Sequence, residues 1–246
     1  MLRLCFPIMI LFLLLSTSCN KEDNGLVASK PLSKFTQDWQ AQSKNGVVNQ
    51  RVPLIAFQPA GDLGGDGNLL QPGTFFPPKG SHSAKLSRAS NYLQFNIHTK
   101  GLPPGAYTVW WIIFNDPSTC TTPSPLGLCG EPDLFGSKTA VLWATGKIVQ
   151  SNGVGNFSDR LYVGETRSET VLMGEDLDSP LEYPQTAEVH LIVKYHGAAS
   201  DNSDILYLQM HTLLGNCGAD EGANSFDAGP FGIQCFDPQA AIFQAP

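Results

Sequence analysis

Histidines are the side chains of this sequence best suited to metal binding or proton transfer near neutral pH. The sequence has five, at His82, His98, His190, His196 and His211. In the segment VHLIVKYH, residues 190, 192, 194 and 196 share one face of a strand, so His190 and His196 point the same way. Their separation along a strand is roughly 20 Å, which is too long for both to bind one ion.

Two interpretations of these histidines are open. In the first, His190 and His196 each join a histidine of a neighbouring strand, such as His98 or His211, and form a metal site. In the second, both lie on a polar face while the alternate residues enter a core; these are Val189, Leu191, Val193 and Tyr195. We favour the second and predict no bound metal or other cofactor.

The first 18 residues have the pattern of a cleaved secretory signal. Arg3 supplies a positive charge, residues 8–15 are an unbroken apolar run, and small residues at 16–18 lead into Cys19. The run is far shorter than the roughly 20 residues of a membrane-spanning helix. No later segment reaches that length, so we expect a signal peptide at 1–18 and no transmembrane helix in the mature chain.

The residues around Cys19 resemble two signals of bacterial lipoproteins. Segment 15–18 leading into Cys19 resembles the lipobox, with Ser16 where that family most often has Leu. The second signal is the short Lys-plus-acidic export signal of Bacteroidetes lipoproteins, which Lys21, Glu22 and Asp23 resemble. This resemblance implies a diacylglyceryl group on the Cys19 thiol and display on the outer face of the outer membrane. Without it, Cys19 is a chance cysteine and the charges are a solvated tail.

A lipid on Cys19 would be the contact of this protein with the membrane. Two or more acyl chains are enough for stable attachment. The polar residues that follow, rich in Ser, Lys, Gln and Asn, predict a lipidated N-terminus and tether over 19–50. Residues 51–246 are then expected to form a single domain.

With Cys5 in the leader and Cys19 at its end, four of the six cysteines remain. They are Cys120, Cys129, Cys217 and Cys235, and they allow three pairings. Pairing Cys120 with Cys129 and Cys217 with Cys235 is the simplest, because each bridge closes a loop with little else to hold it. Zinc sites usually have a much closer Cys-x₂₋₄-Cys pair. We therefore predict two local disulfides, formed in an oxidising compartment.

The composition favours an all-β fold. Gly and Pro number 24 and 18, and no long stretch has apolar residues at helical spacing. Short apolar runs between turn residues predict a loop-rich antiparallel β-sandwich of about seven or more strands. The runs lie at 51–57, 91–100, 106–115, 139–150, 154–163, 187–196 and 205–214.

Two local signals refine this arrangement. Pro53 interrupts the first run and predicts an edge strand. Asn152-Gly153 is a hairpin signal and predicts that 139–150 pairs with 154–163.

The run AYTVWWIIFN is apolar on both faces. A strand with one face in water would alternate apolar with polar residues. Either another segment covers the second face, or that face is a groove for a ligand or partner. Trp110 and Trp111 are adjacent and point to opposite faces, so they cannot form one flat platform for a sugar, although each is a candidate ligand contact.

The motif GLPPGAYTVWWIIFN, with the later AEVHLIVKYHG and a closing cysteine pair, resembles an uncharacterised group of exported bacterial proteins from about Leu86 onward. Its Gly-Leu-x-Pro-Gly turn also resembles copper/zinc superoxide dismutases and CHRD modules. That resemblance implies an antiparallel β-sandwich. It does not imply dismutase activity, because Tyr107, Trp110 and Ile112 occupy the places of the copper-binding histidines.

Other chemistry has little support in the sequence. It lacks the Gly-x-Ser-x-Gly, His-Glu-x-x-His and phosphate-loop motifs. The segment GDLGGDGN at 61–68 looks like a calcium loop, but Gly73 stands where the EF-hand needs an acid. Acidic residues in 165–178 leave a hydrolase open. A net charge of −7 without a basic patch argues against nucleic acid.

These patterns predict a surface lipoprotein whose sandwich is a non-catalytic binding or structural module for a glycan, a protein or envelope material. The alternative is a metal-dependent or glycan-degrading enzyme. Its site would be built from loops and strand-face histidines, namely His98, His190, His196 and His211.

Replacing Cys19 tests the predicted anchor. We expect Cys19→Ala to lose palmitate labelling and to move from the detergent phase to the aqueous phase, because only the lipidated cysteine supplies acyl chains. Cys5→Ala, in the leader, should partition like the unmodified protein. A Cys19→Ala variant that still takes up palmitate and stays with the detergent would show that the lipoprotein prediction is wrong.

Overall fold

The computed structural model describes residues 42–44, 46–56, 82–123, 127–135, 138–167, 177, 179–213 and 236–246. Several predictions concern residues outside these ranges: the signal peptide, Cys19, Lys21, Glu22, Asp23, the loop 61–68, Cys217 and Cys235. Residues 168–176 of the acidic segment also lie outside them.

The described strands form two antiparallel sheets. The first contains β1 (Gln42–Lys44), β2 (Val47–Pro53), β4 (Ser83–Arg88), β5 (Tyr92–Lys100) and β8 (Val154–Tyr162). The second contains β3 (Ile55–Ala56), β6 (Gly105–Phe114), β7 (Thr139–Val149), β9 (Glu188–Tyr195) and β10 (Phe236–Phe243). The strand orders are β1-β2-β4-β5-β8 and β3-β10-β9-β6-β7. The predicted all-β sandwich is confirmed.

Alternating side chains of both sheets build the core between them. In β5, Leu93, Phe95 and Ile97 are buried, as the alternation predicts. The ring of Phe95 meets Trp111 of β6 edge-on, with centroids 4.8 Å apart. Other core residues are Leu86, Val109, Ile113, Leu142, Val189, Leu191, Val193 and Phe243.

The prediction of one strand over 51–57 is wrong. The chain forms β2 in the first sheet, passes through Leu54 and continues as β3 in the second sheet. Pro53 ends β2 because proline has no N–H for the ladder, but β2 lies between β1 and β4 and is not an edge strand. The first sheet begins at Gln42, inside the segment predicted as a tether.

The predicted hairpin between 139–150 and 154–163 is also wrong. A tight turn joins β7 to β8, but β7 pairs with β6 in the second sheet and β8 pairs with β5 in the first. The turn is bound elsewhere: Gly153 O accepts from Gly101 N–H (2.9 Å) and Leu102 N–H (3.2 Å) in the β5–β6 connection. The two connections therefore cross between the sheets side by side and hold each other.

The last predicted strand, 205–214, is a helix. This helix, α1, spans Ser203–His211. Its N-terminus is capped by the side-chain oxygen of Asn202, which accepts from Asp204 N–H (2.9 Å) and Ile205 N–H (3.3 Å). Asn is a preferred helix cap. The alternation of apolar residues in this segment is typical of a strand, whereas Asn202 is typical of a helix start and agrees with the structure.

Arg88, at the end of β4, is fully buried and uses all its N–H donors. Nε donates to Gln50 Oε1 (2.6 Å), Nη1 to Pro184 O (3.0 Å) and Ala187 O (2.7 Å), and Nη2 to Phe243 O (3.3 Å) and Gln244 O (3.2 Å). Burial lowers the pKa of Arg88 to about 10, against the opposing effect of Glu188, so the group is charged at neutral pH. The guanidinium thus joins β4 to β2, to the turn before β9 and to the end of β10.

Replacing Arg88 with Lys should destabilise the sandwich. One ammonium cannot reach acceptors that lie around a planar guanidinium, and partly unpaired buried charges typically cost about 3 kcal/mol or more. Urea denaturation at neutral pH measures the free energy of unfolding. Arg51→Lys is the matched control, because Arg51 is exposed and, among the described residues, makes one hydrogen bond, to Ser83 Oγ; we expect a change within about 0.5 kcal/mol. Similar losses in both variants would contradict the role given to Arg88.

Candidate binding surface

The outer face of the second sheet is covered. Helix α1 packs on β6 and β7, where Trp143 Nε1 donates to Met210 O at 2.9 Å. The helix approaches so closely that a side chain at Gly146 would overlap the Met210 carbonyl. The second apolar face of strand 106–115 is therefore covered by the segment that resembled a strand, and does not form an open groove.

Both predicted tryptophan ligand contacts are buried. Trp111 points into the core and its Nε1 donates to Asp159 Oδ2 at 2.8 Å. Trp110 points to the opposite face, and its Nε1 donates to Thr108 Oγ1 at 2.8 Å. Their exposed fractions are 0% and 1%, so neither ring is available to a ligand.

The disulfide segment, defined as 117–123 and 127–135, covers another part of the second sheet. The Cys120–Cys129 bridge is present, which confirms this local pairing. The buried carboxylate of Asp133 accepts from Thr121 N–H (2.8 Å), Thr122 N–H (3.1 Å) and Gly130 N–H (3.0 Å). Burial alone would raise the pKa of Asp133, but these hydrogen bonds outweigh it and lower the pKa. The carboxylate thus joins the two described parts of the segment.

Glu188 attaches the disulfide segment to β9. Its buried carboxylate accepts from Leu128 N–H (2.8 Å), Cys129 N–H (3.0 Å) and His190 Nε2 (2.8 Å). Burial opposes ionisation of Glu188, yet His190 and the backbone donors together lower its pKa. The His190 ring also packs against Phe114, with centroids 5.1 Å apart. His190 therefore lies on the predicted face of β9, but its ring is engaged in structural contacts with Glu188 and Phe114.

His196 is buried at the other end of the same strand. Its Nε2 lies 2.7 Å from Thr108 Oγ1, the hydroxyl that accepts from Trp110. Burial, aided by the positive charge of Lys194, lowers the pKa of His196 well below 6.5. The imidazole is therefore neutral at physiological pH and belongs to the contact between β6 and β9.

The remaining candidate histidines lie elsewhere. His98 is on the exposed face of β5, with its Nδ1 2.7 Å from Asn156 Oδ1. His211, in α1, stacks on Tyr207 and Trp143, with centroids 4.3 Å and 5.3 Å away. Within the described ranges, no three His, Cys, Asp or Glu side chains come together as metal ligands. The histidines of the enzyme alternative are thus distributed over separate places.

The outer face of the first sheet is different, because its side chains reach solvent. We call the polar and aromatic outward side chains of β2, β4, β5 and β8 the polar face. They are Asn49, Arg51, Ser83, Lys85, Ser87, Tyr92, Gln94, Asn96, His98, Lys100, Asn156, Ser158, Arg160 and Tyr162, and all are exposed or half-buried. The apolar outward residues Val47, Pro53 and Val154 stand at the ends of their strands. Cross-strand register arranges them in rows of amides, hydroxyls and cations.

An aromatic cluster forms one end of the polar face. Tyr92 and Tyr162 are register partners and meet edge-on at 6.2 Å. The Arg160 guanidinium lies 4.6 Å from the centre of the Tyr92 ring, a cation–π contact. Arg160 is also held by Gln94, whose Oε1 accepts from Nη2 (2.6 Å) and Nε (3.2 Å). These contacts fix the guanidinium and rings before any ligand arrives.

The middle row of the polar face has unused hydrogen-bonding groups. Arg51 pairs with Lys85, Lys85 with Asn96, and Asn96 with Ser158 in the register. The side chains of Lys85, Asn96 and Ser158 make no hydrogen bond or ion pair with another residue in the described part of the chain. A ligand lying across the strands would meet donors and acceptors that have no protein partner there.

The polar face was not predicted from the types of residue in the sequence. The alternation of β5 placed Gln94, Asn96 and His98 on one outward face, which is confirmed. Their neighbours on β4 and β8 come from register, and a sequence pattern does not supply register across a sheet.

The neutral, buried His196 predicts a pH-dependent stability. Since its folded pKa lies well below 6.5, the unfolded chain takes up a proton on acidification that the folded chain does not. The free energy of unfolding should fall as the pH drops below 6.5, by up to about 1.4 kcal/mol per pH unit from this group. Urea denaturation at several pH values between about 7 and 5 measures the slope.

His196→Gln should flatten that slope, because the variant has no proton to take up there. His98→Gln is the control: His98 is exposed, and the slope should match that of the unmodified protein. A slope that survives in His196→Gln would show that another group causes it.

Comparison with known proteins does not extend this description. No helix in the described ranges is long and apolar enough to cross a bilayer. No protein-family model, curated protein or solved structure matches the chain.

Proposed function

We propose that this protein is a lipid-anchored lipoprotein of the outer membrane whose sandwich is a non-catalytic module that binds an extended glycan on its polar face. The observation that carries the proposal is the contrast between the two sheets. The second sheet is covered by α1 and the disulfide segment, whereas the first presents ordered but open polar side chains.

The chemistry of the polar face suits a sugar polymer. Amide and hydroxyl groups can exchange hydrogen bonds with sugar hydroxyls. The Tyr92–Tyr162 pair offers apolar ring surface beside them. Four strands about 4.8 Å apart give a width near 15 Å, enough to contact several sugar units. A leader, an anchor at Cys19 and the Lys21, Glu22, Asp23 signal would present this face outside the cell.

The enzyme alternative has less support. His190 is engaged by Glu188, and His196 by Thr108. The first contact belongs to the attachment of the disulfide segment, and the second joins β9 to β6. The exposed polar side chains are sufficient for a binding module. An enzyme would also need catalytic side chains or metal ligands close to one another.

Removing the aromatic pair tests the proposed function. The full-length protein, in a sugar-free non-ionic detergent, is screened on an array of neutral and acidic glycans. For the glycan that binds, we expect Tyr92→Ala/Tyr162→Ala to weaken the Kd about tenfold, because exposed tyrosines at a binding surface often carry more than 1 kcal/mol.

Tyr183→Ala is the control, since Tyr183 is 52% exposed and lies outside the polar face. Binding that Tyr183→Ala weakens and the Tyr92/Tyr162 variant does not would place the ligand elsewhere. Absence of binding to every glycan and polysaccharide tested would overturn the proposed function.

A further inference from the structure

We propose that the polar face recognises an anionic polysaccharide, a polymer whose sugars carry carboxylate or sulfate groups. This inference rests on the proposed function and specifies its ligand class. It follows from the sign and placement of the charges on the polar face.

Every formal charge on the polar face is positive. Arg51, Lys85, Lys100 and Arg160 all point outward from the first sheet. Among the described residues, the face has no Asp or Glu. The whole chain has a net charge of −7, so this face has the opposite sign to the molecule that carries it. Such segregation attracts an anionic polymer to one surface of an otherwise acidic protein.

The one acidic residue of β8 is turned away from this face. Asp159 lies between the sheets, where its Oδ2 accepts from Trp111 Nε1 (2.8 Å) and Arg167 Nη1 (2.7 Å). Glu165, which follows β8, accepts from Arg167 Nε (3.0 Å) and from the backbone N–H of Tyr162 (2.9 Å). Both carboxylates are bound by Arg167, and in the described part of the chain neither forms an ion pair with Arg51, Lys85, Lys100 or Arg160.

The cations continue past the edge of the sheet. Lys147, exposed on β7, reaches the first sheet, where its Nζ donates to Asn156 O at 3.0 Å. Lys147 thus extends the positive surface beyond β8, the last strand of the first sheet. Within the face, Lys85 and Arg160 are two strands and two residues apart in the register, which gives about 12 Å between them. A polymer crossing the strands would meet cations at intervals and uncharged polar groups between them.

An anionic membrane is the competing occupant, and the composition of the face argues against it. A membrane-binding surface needs cations with apolar side chains that enter the interface. Here the cations alternate with hydroxyl and amide groups at Ser87, Gln94, Asn96 and Ser158. Hydroxyl and amide groups spread over several strands match the hydroxyls of an extended sugar chain, whereas they cannot enter the apolar layer of a membrane.

The experiment compares each acidic polymer with its neutral counterpart. Polygalacturonate and alginate are assayed beside their carboxyl-reduced forms, and heparin beside its desulfated, carboxyl-reduced form, with the full-length protein in sugar-free non-ionic detergent. We expect at least one acidic polymer to bind ten times or more tightly than its neutral form. The affinity should fall as salt rises, because screening weakens contacts between exposed charges.

Charge-removing variants locate the effect. Arg51→Gln/Lys85→Gln should weaken binding to the acidic polymer tenfold or more and reduce its salt dependence. Lys138→Gln is the matched control, because Lys138 is exposed, lies beside β7 and is paired with Glu182; its affinity should be unchanged. Urea midpoints show whether each variant is as stable as the unmodified protein. The comparison of acidic with neutral polymers uses the unmodified protein and does not depend on the variants.

The outcomes separate the two proposals. Binding of neutral and acidic forms with equal affinity, or unchanged affinity in Arg51→Gln/Lys85→Gln, overturns the anionic ligand and leaves the glycan module. Binding to phosphatidylglycerol vesicles in preference to every polymer overturns it in favour of a membrane. Absence of binding to both the polymers and the glycan array overturns both proposals.

Discussion

The buried guanidinium of Arg88 is the interaction on which the sandwich depends. Removing a cation from water costs several kcal/mol unless its donors are matched. Its acceptors come from β2, from the turn before β9 and from the end of β10, which are far apart in the chain. They meet only when both sheets have assembled. A partly formed sandwich would contain an unpaired buried charge, so this one residue favours complete assembly over intermediate packing.

A second arginine closes the opposite side, where β7 and β8 lie at the ends of their sheets. Arg167 Nη1 donates to Ala144 O (3.1 Å) in β7 and to Asp159 Oδ2 in β8, while Nη2 donates to Arg160 O (2.9 Å). This contact has a consequence for the outer surface. It holds Asp159 between the sheets, beside Trp111, and so leaves the outward side of β8 without an acid.

The sequence predicts those parts of this fold that depend on local pattern. Alternation in β5 and the turn residues at 101–105 are local, as is the closing of one loop by Cys120 and Cys129, and all agree with the structure. Strand pairing is decided by distant contacts. The Gly153 carbonyl accepts hydrogen bonds from the β5–β6 connection, and β8 pairs with β5 instead of with β7, the partner that the Asn-Gly turn predicts. Helix α1 shows the same limit, because contacts outside the helix hold it: Met210 O accepts from Trp143 Nε1, and the buried Gln209 donates to His196 O and Ala198 O.

The polar face could not be found by residue type for the same reason. The strands NYLQFNIHTK and VHLIVKYH both alternate apolar with polar side chains, and both carry histidine. In β9 the polar positions are buried, and Glu188, which also contacts His190, binds the disulfide segment. In β5 the equivalent positions stay open beside Lys85, because no described segment covers them. Covering segments come from elsewhere in the chain, so exposure is a tertiary property. His190 and His196 are engaged in contacts inside the fold. The exposed surface proposed to bind a ligand consists of amides, hydroxyls, tyrosines and cations.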